Sequence, residues 1–136
     1  LEGVIEVALD YKLGVEATNT TNNSDIKAQY GECWRNEPGG VSGDDRDFRR
    51  MSTAMIAHIY CASCGKIPVF GIGGVKDTAT ALEKIMAGGC ALQLVTALRG
   101  EGPGVAGNIN GGLVKFMEKE GIKSVQELVG VKAHLY

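Results

Sequence analysis

Residues 67–98 read IPVFGIGGVKDTATALEKIMAGGCALQLVTAL, and this stretch decides the fold. Residues 67–72 form a short apolar run closed by Gly71, Gly73 and Gly74, which suits a buried strand entering a tight turn. Asp77 is placed to cap a helix. From Thr78 the apolar residues Leu82, Ile85 and Met86 recur at helical spacing, and Gly88 or Gly89 supplies a left-handed stop. Residues 91–95 are apolar except for Gln93 and make a second buried strand ending at Thr96. Strand, crossover helix and parallel strand compose a βαβ unit.

A βαβ unit brings both strand ends to one side, where the N–H groups of glycine turns and helix N-termini favour anions. The stretch is therefore a phosphate cradle in outline. Two well-known glycine signatures do not describe it. In Gly71-Ile72-Gly73-Gly74-Val75-Lys76, Lys76 stands where the dinucleotide fingerprint needs a third glycine, and no acidic residue ends the next strand. The P-loop spacing of glycines, lysine and serine or threonine does not occur.

The whole chain has 136 residues, 44% hydrophobic and 22% charged, an ordinary composition that buries about two-thirds of its unfolded surface if it closes into a domain. A net charge of −2 with scattered Lys and Arg gives no electrostatic footprint for nucleic acid. No apolar run approaches the roughly 18–20 residues of a membrane span. Leu1 is neither an initiator Met nor the start of a targeting segment, so a processed or partial product is expected.

Ahead of the central stretch, Val4, Ile5, Ala8 and Leu9 share a helical face that Leu13-Gly14 closes. Residues 15–18 form a short strand running into Asn19-Thr20-Thr21-Asn22-Asn23-Ser24, which has no apolar member. Such a cluster is either the lip of a ligand crevice or a solvated turn bonding its own backbone. Residues 25–50 show little periodicity and form a long loop of the kind that covers sites. Within it, Glu37-Pro38-Gly39-Gly40-Val41-Ser42-Gly43 permits close backbone approach to a ligand, and Asp44, Asp45 and Asp47 suit a helix N-terminus. The helix over 47–62 places Phe48, Met51, Met55, Ile59 and Tyr60 on one side, with the two methionines read as core.

The four cysteines include a C-x-x-C pair, Cys61 and Cys64, at the end of a helix rather than its start, where the dipole would lower a thiol pKa. No second pair or histidine cluster completes a metal site, so the cysteines are read as structural and no metal is expected. His58 reads as exposed or capping, without a nucleophile for partner. After Leu98, residues 99–104 form a loop, followed by a helix in which Val105, Ile109, Leu113, Phe116 and Met117 share a face despite Gly107, Gly111 and Gly112. Gly121 ends it, and Ser124-Val125-Gln126-Glu127 is a capping box opening a short helix that stops at Gly130.

Three strands, each followed by a helix, with a leading helix in front, suggest part of a (β/α) barrel. Thr18-Asn19-Thr20-Thr21, Glu37-Pro38-Gly39-Gly40-Val41-Ser42-Gly43, the strand and glycine turn of 67–75, and Leu92-Gln93-Leu94-Val95-Thr96-Ala97-Leu98 together resemble the dihydroorotate dehydrogenases. The QL-x-TAL form, Gly102-Pro103 and Gly130 are most similar to the quinone-linked class. The resemblance implies an FMN-dependent (β/α)8 barrel of pyrimidine biosynthesis that oxidises dihydroorotate to orotate and passes electrons to ubiquinone. For this chain it implies the C-terminal half of that barrel. Thr18 would sit at the flavin, Asn19 and Thr20 would bond orotate, Ser42 and Gly43 would approach the flavin, and Gly73, Gly74, Val95 and Thr96 would form the FMN phosphate site.

Two departures stand out. Val95 replaces the Tyr usual in the quinone-linked class, and Asp44-Asp45 replaces a stretch that often carries Lys. By the resemblance, the catalytic Ser base, a flavin-contacting Lys, the remaining orotate-binding Asn residues and the membrane-binding helices would all precede Leu1. None of this chain's residues is then expected to be catalytic. An N-terminal barrel half, as a partner chain or a preceding segment, is expected to complete the fold and reach ubiquinone, and the family places the protein at the mitochondrial inner membrane. The alternative is a non-catalytic structural subunit of a larger mitochondrial assembly.

Overall fold

The computed structural model describes residues 1–43 and 45–136, so the expectation for Asp44 lies outside the described residues. Three parallel strands, β1 (Val15–Ala17), β2 (Val69–Ile72) and β3 (Gly89–Gln93), form one sheet in the order β1-β2-β3. Val15, Glu16 and Ala17 pair with Val69, Phe70 and Gly71, while Ile72 pairs with Gln93 after a register shift between Val69 and Phe70. Among the described residues six helices accompany them: α1 (Glu2–Asp10), α2 (Ser24–Ala28), α3 (Arg46–Ala62), α4 (Thr78–Ala87), α5 (Thr96–Glu101) and α6 (Val105–Glu120). Short 3-10 turns occupy Glu32–Trp34, Val125–Leu128 and Ala133–Leu135. The fold class is α/β, the geometry of a partial (β/α) barrel.

Alternation along the strands splits the sheet into two faces. Val15, Ala17 and Val69 point toward the helices and join Ile5, Ala8, Ile56, Ala57, Ile59 and Ile67 in the main core. A second cluster, of Val75, Ala81, Ala97, Val105 and Ile109, fixes α5 and α6 against α4. Glu16, Phe70 and Ile72 point the other way. That face carries no helix among the described residues, and Phe70 stays 38% exposed on it.

Local signals set most boundaries. The Asp77 side chain accepts from Thr80 N and completes a capping box at the start of α4, and α4 ends on Gly88. Gly121 takes the left-handed conformation after α6, and the Ser124–Glu127 capping box is present, although it opens a 3-10 turn. Asp45 caps α3 by accepting from Phe48 N at 2.6 Å, and its other oxygen receives the Tyr30 hydroxyl at 2.7 Å.

Several expectations are corrected. Helix α1 ends at Asp10 rather than Leu13-Gly14, because Lys12 itself turns left-handed (φ 55°); Val4 and Leu9 remain exposed. The expected loop of 25–50 opens instead within α2, a five-residue helix beginning at Ser24 whose Asn23 cap accepts from Asp25 N and Ile26 N. On α3 the buried stripe runs Phe48, Ser52, Thr53, Ile56, Ala57 and Ile59, leaving Met51 40% exposed and Met55 half-buried beside the core. The cysteines do not fill the interior: Cys33, Cys61 and Cys64 are exposed and Cys90 is half-buried. The expected loop of 99–104 begins instead as the end of α5.

Candidate functional site

The C-terminal ends of the three strands meet at one edge of the sheet, where barrel proteins of this architecture carry their sites. A cavity of about 710 Å³ opens there. Thr18, Asn19, Thr20, Ser42, Gly43, Gly73, Gly74, Val95 and Thr96 all line it, so the nine residues singled out in the sequence share one space.

Thr18 follows β1 through a cis peptide from Ala17, and its N–H donates to Ile72 O at 3.3 Å. Its Oγ1 is buried without a hydrogen-bond partner among the described residues. Asn19 and Thr20 stand exposed beside it, with Asn19 Oδ1 accepting from Thr20 N at 2.8 Å. A pair of backbone bonds between Thr21 and Val41, 3.1 and 2.8 Å, ties the 37–43 loop to this strand end. Buried Lys27 holds the same loop from beneath by donating to Glu37 O and, at 3.1 Å, to Gly39 O. Ser42 and Gly43 are thereby set above α5.

The turn after β2 requires glycine. Gly73 and Gly74 have φ of +111° and +75°. A Cβ at Gly73 would stand 2.9 Å from Ser52 Oγ and 3.1 Å from the Phe48 ring; one at Gly74 would stand 2.9 Å from the Arg49 stem. The bare backbone of this turn therefore faces the cavity with helix α3 directly behind it, a concavity suited to an anion. After β3, Val95 lies at the mouth with 74% of its surface exposed, and α5 begins at Thr96.

Residues outside the expected set also belong here. Glu16, Phe48, Lys76 and Gln93 line the cavity, and Gln93 Nε2 donates to Glu16 Oε1 at 2.8 Å across the open face. Gln93 was legible as the one polar residue in an apolar strand. Behind the glycine turn lies Lys84, wholly buried on α4. Its ammonium donates to Ser52 Oγ at 2.9 Å, Thr53 Oγ1 at 2.8 Å and Arg49 O at 3.1 Å, and burial pulls its pKa down to about 8. Glu83 accepts from Thr53 Oγ1 at 2.8 Å and pairs with Arg49 at 3.4 Å.

Glycine backbone faces one end of the cavity, and the orphaned Thr18 hydroxyl, with Asn19 and Thr20, lies at the other strand end. Among the described residues no group of His, Cys, Asp and Glu could hold a metal ion. No helix among them is long and apolar enough to cross a membrane.

Comparison with known proteins agrees with this architecture. The family model described as dihydroorotate dehydrogenase matches residues 4–117. A dihydroorotate dehydrogenase (quinone) of Trichodesmium erythraeum is 34% identical over 137 residues, covering 96% of this chain and 36% of the relative. Its counterpart in Halobacterium salinarum is 40% identical over 127 residues, covering 93% and 35%. Among solved structures, DHODH from Eimeria tenella in complex with ferulenol matches with a TM-score of 0.80 and 28% identity, covering 95% of this chain and 33% of that one. The chain thus spans about a third of the length of the relatives it matches.

Proposed function

Because the chain belongs to the dihydroorotate dehydrogenase family, its quinone-linked class included, we propose that it supplies the FMN-phosphate cradle and part of the orotate site of an enzyme oxidising dihydroorotate to orotate in pyrimidine biosynthesis. The observation that carries this reading is the single cavity at the strand ends. It joins the glycine turn of Gly73 and Gly74 to Thr18, Asn19 and Thr20.

Bound FMN would supply the two-electron acceptor for the oxidation. The residues of this chain bind and orient. Gly73 and Gly74, with the backbone of Val95 and Thr96, hold the phosphate end through N–H groups. Thr18, Ser42 and Gly43 would border the ring system. Asn19 and Thr20 offer amide and hydroxyl groups to the carboxylate and ring amides of orotate. The proton-abstracting base and the route to ubiquinone belong to the rest of the barrel, as a separate chain or a preceding segment, which would cover the open face bearing Phe70 and Glu16.

A second reading, a non-catalytic subunit of a larger assembly, is favoured by Val95, an exposed aliphatic side chain at the mouth of the cradle in place of Tyr. The visible absorption spectrum of the protein purified from its native source decides between them. A flavin spectrum that bleaches on addition of dihydroorotate is the expected result. Protein that is intact and assembled but colourless would leave only the structural role. The compartment that accompanies the enzymatic reading is the mitochondrial inner membrane, supported by resemblance to the quinone-linked class alone and tested by fractionation.

A further inference from the structure

Lys84 is the most deeply buried charge described in the molecule, and nothing in the binding reading above uses it. Its surface is wholly inaccessible. The three protons of its ammonium go to three neutral oxygens, Ser52 Oγ, Thr53 Oγ1 and Arg49 O, all on α3. No carboxylate is among these partners: Glu83 stands one hydroxyl away, beyond Thr53, and also faces Arg49. An ammonium held this way costs folding free energy through desolvation, and a methionine of similar length would avoid that cost.

The bonds of Ser52 show where the charge is directed. Ser52 is fully buried; it accepts from Lys84 and donates to Ile72 O, the last carbonyl of β2. That same carbonyl accepts from Thr18 N, so one oxygen ties the ends of β1 and β2 to α3. The next residue is Gly73, and its Cβ position lies 2.9 Å from Ser52 Oγ. One hydroxyl, Ser52 Oγ, therefore links the ammonium, 2.9 Å away, to the carbonyl that opens the turn facing the cavity. A fixed positive charge in low dielectric directly behind backbone N–H groups favours a dianion in front of them far more than one at the surface would.

We infer that Lys84 is a positioning residue of the cradle: it sets Ser52 against the Ile72-Gly73 turn and places a buried positive charge behind it, so that the site selects a phosphorylated ligand over the same ligand without its phosphate. This rests on the phosphate reading above. A purely structural Lys84 would affect both ligands alike, and that difference makes the role measurable.

The test compares FMN with riboflavin, binding being followed by quenching of flavin fluorescence in the complete protein that carries this chain. Wild type should prefer FMN. Lys84→Met should lower FMN affinity by roughly tenfold while leaving riboflavin affinity nearly unchanged. Ser52→Ala keeps the charge and removes its link to the turn, so it should lower the FMN-to-riboflavin ratio by about threefold. Should Lys84→Met fail to fold, Ser52→Ala carries the test alone. Equal loss of both ligands, or no loss of either, would overturn the role of Lys84 while the wild-type preference for FMN kept the cradle intact. A wild type indifferent to the phosphate would overturn the cradle itself and this inference with it.

Discussion

The two faces of the sheet are built on opposite terms. The face toward α1, α3 and α4 is dry: Val69 and Ile56 have no exposed surface, and Ile59 has 1%. The other face carries Glu16, Phe70 and Gln93, with a side-chain hydrogen bond lying across it and a large part of an aromatic ring in water. In this chain, stability resides on the first face, and the candidate site opens from the second at the strand ends. In a closed barrel the second face would be the interior, so its exposed apolar area is the surface that the remaining strands would cover.

The largest expected effect tests that division directly. Ile56→Ala removes a side chain packed on every side and should cost about 2–5 kcal/mol in urea unfolding of the chain. Phe70→Ala deletes a larger group and should nevertheless cost less than half as much, since its ring is already partly hydrated. Were further strands to close the sheet into a barrel, Phe70 would be covered and the two costs should converge. Equal costs in the chain by itself would mean that the two faces are equally closed.

How far the sequence reveals this depends on the range of the interaction involved. Asp77 and Thr80, Ser124 and Glu127, and Gly121 are caps made by residues a few positions apart, and each is readable because its partner is local. The nine residues that line one cavity are named through the resemblance to the dihydroorotate dehydrogenases; the residues by themselves offer the glycine turn as a cradle and leave the Thr-Asn-Thr-Thr run open between a crevice lip and a solvated turn. Helix α5 was hidden because Gly100, Gly102, Pro103 and Gly104 read as loop, while its stability comes from Ala97 packing with Val105 and Val75. Met51 was misplaced because the stripe that α3 buries includes Ser52 and Thr53, polar residues that a count of apolar spacing passes over. Lys84 was invisible for the same reason: its burial depends on oxygens about thirty positions away on α3.

That buried lysine gives the next effect, on the dry face itself. Its pKa falls from 10.5 to about 8 through desolvation. Below pH 8 the folded and unfolded chains both hold the proton, so the cost of burying the charge is fully present. Between pH 8 and 10.5 the unfolded chain binds more protons, and the cost is relieved as pH rises. The stability of wild type relative to Lys84→Met should therefore rise by on the order of 3 kcal/mol across that window. A flat difference would mean that the ammonium is hydrated or neutralised by a partner, and the face would not be dry.

A smaller effect belongs to the cap of the helix that carries Lys84. Asp77 accepts from Thr80 N at 2.8 Å, a bond that holds its carboxyl below the usual range. Asp77→Ala should cost about 1 kcal/mol at neutral pH. A depressed carboxylate pKa stabilises the fold above the unfolded value and ceases to do so as pH falls through the folded one. Wild type and variant should accordingly converge in acid; a gap that persists there would assign the cap to shape rather than charge.

The smallest expected effect lies on the open face. Gln93→Ala breaks the 2.8 Å bond to Glu16, but Glu16 is exposed, so water can replace the lost donor at little cost. Stability should change by less than about 0.5 kcal/mol in urea unfolding of the chain. The same change in a completed barrel would leave the Glu16 carboxylate inside a closed space without its amide partner, and there the cost should grow beyond about 1 kcal/mol. A large cost in the chain alone would show Glu16 to be already shielded from water, and the contrast between the two faces would fail at its polar end. A negligible cost in both settings would mean that the strands completing the barrel leave this end of the sheet hydrated, so the water there would belong to the ligand cavity rather than to a missing core.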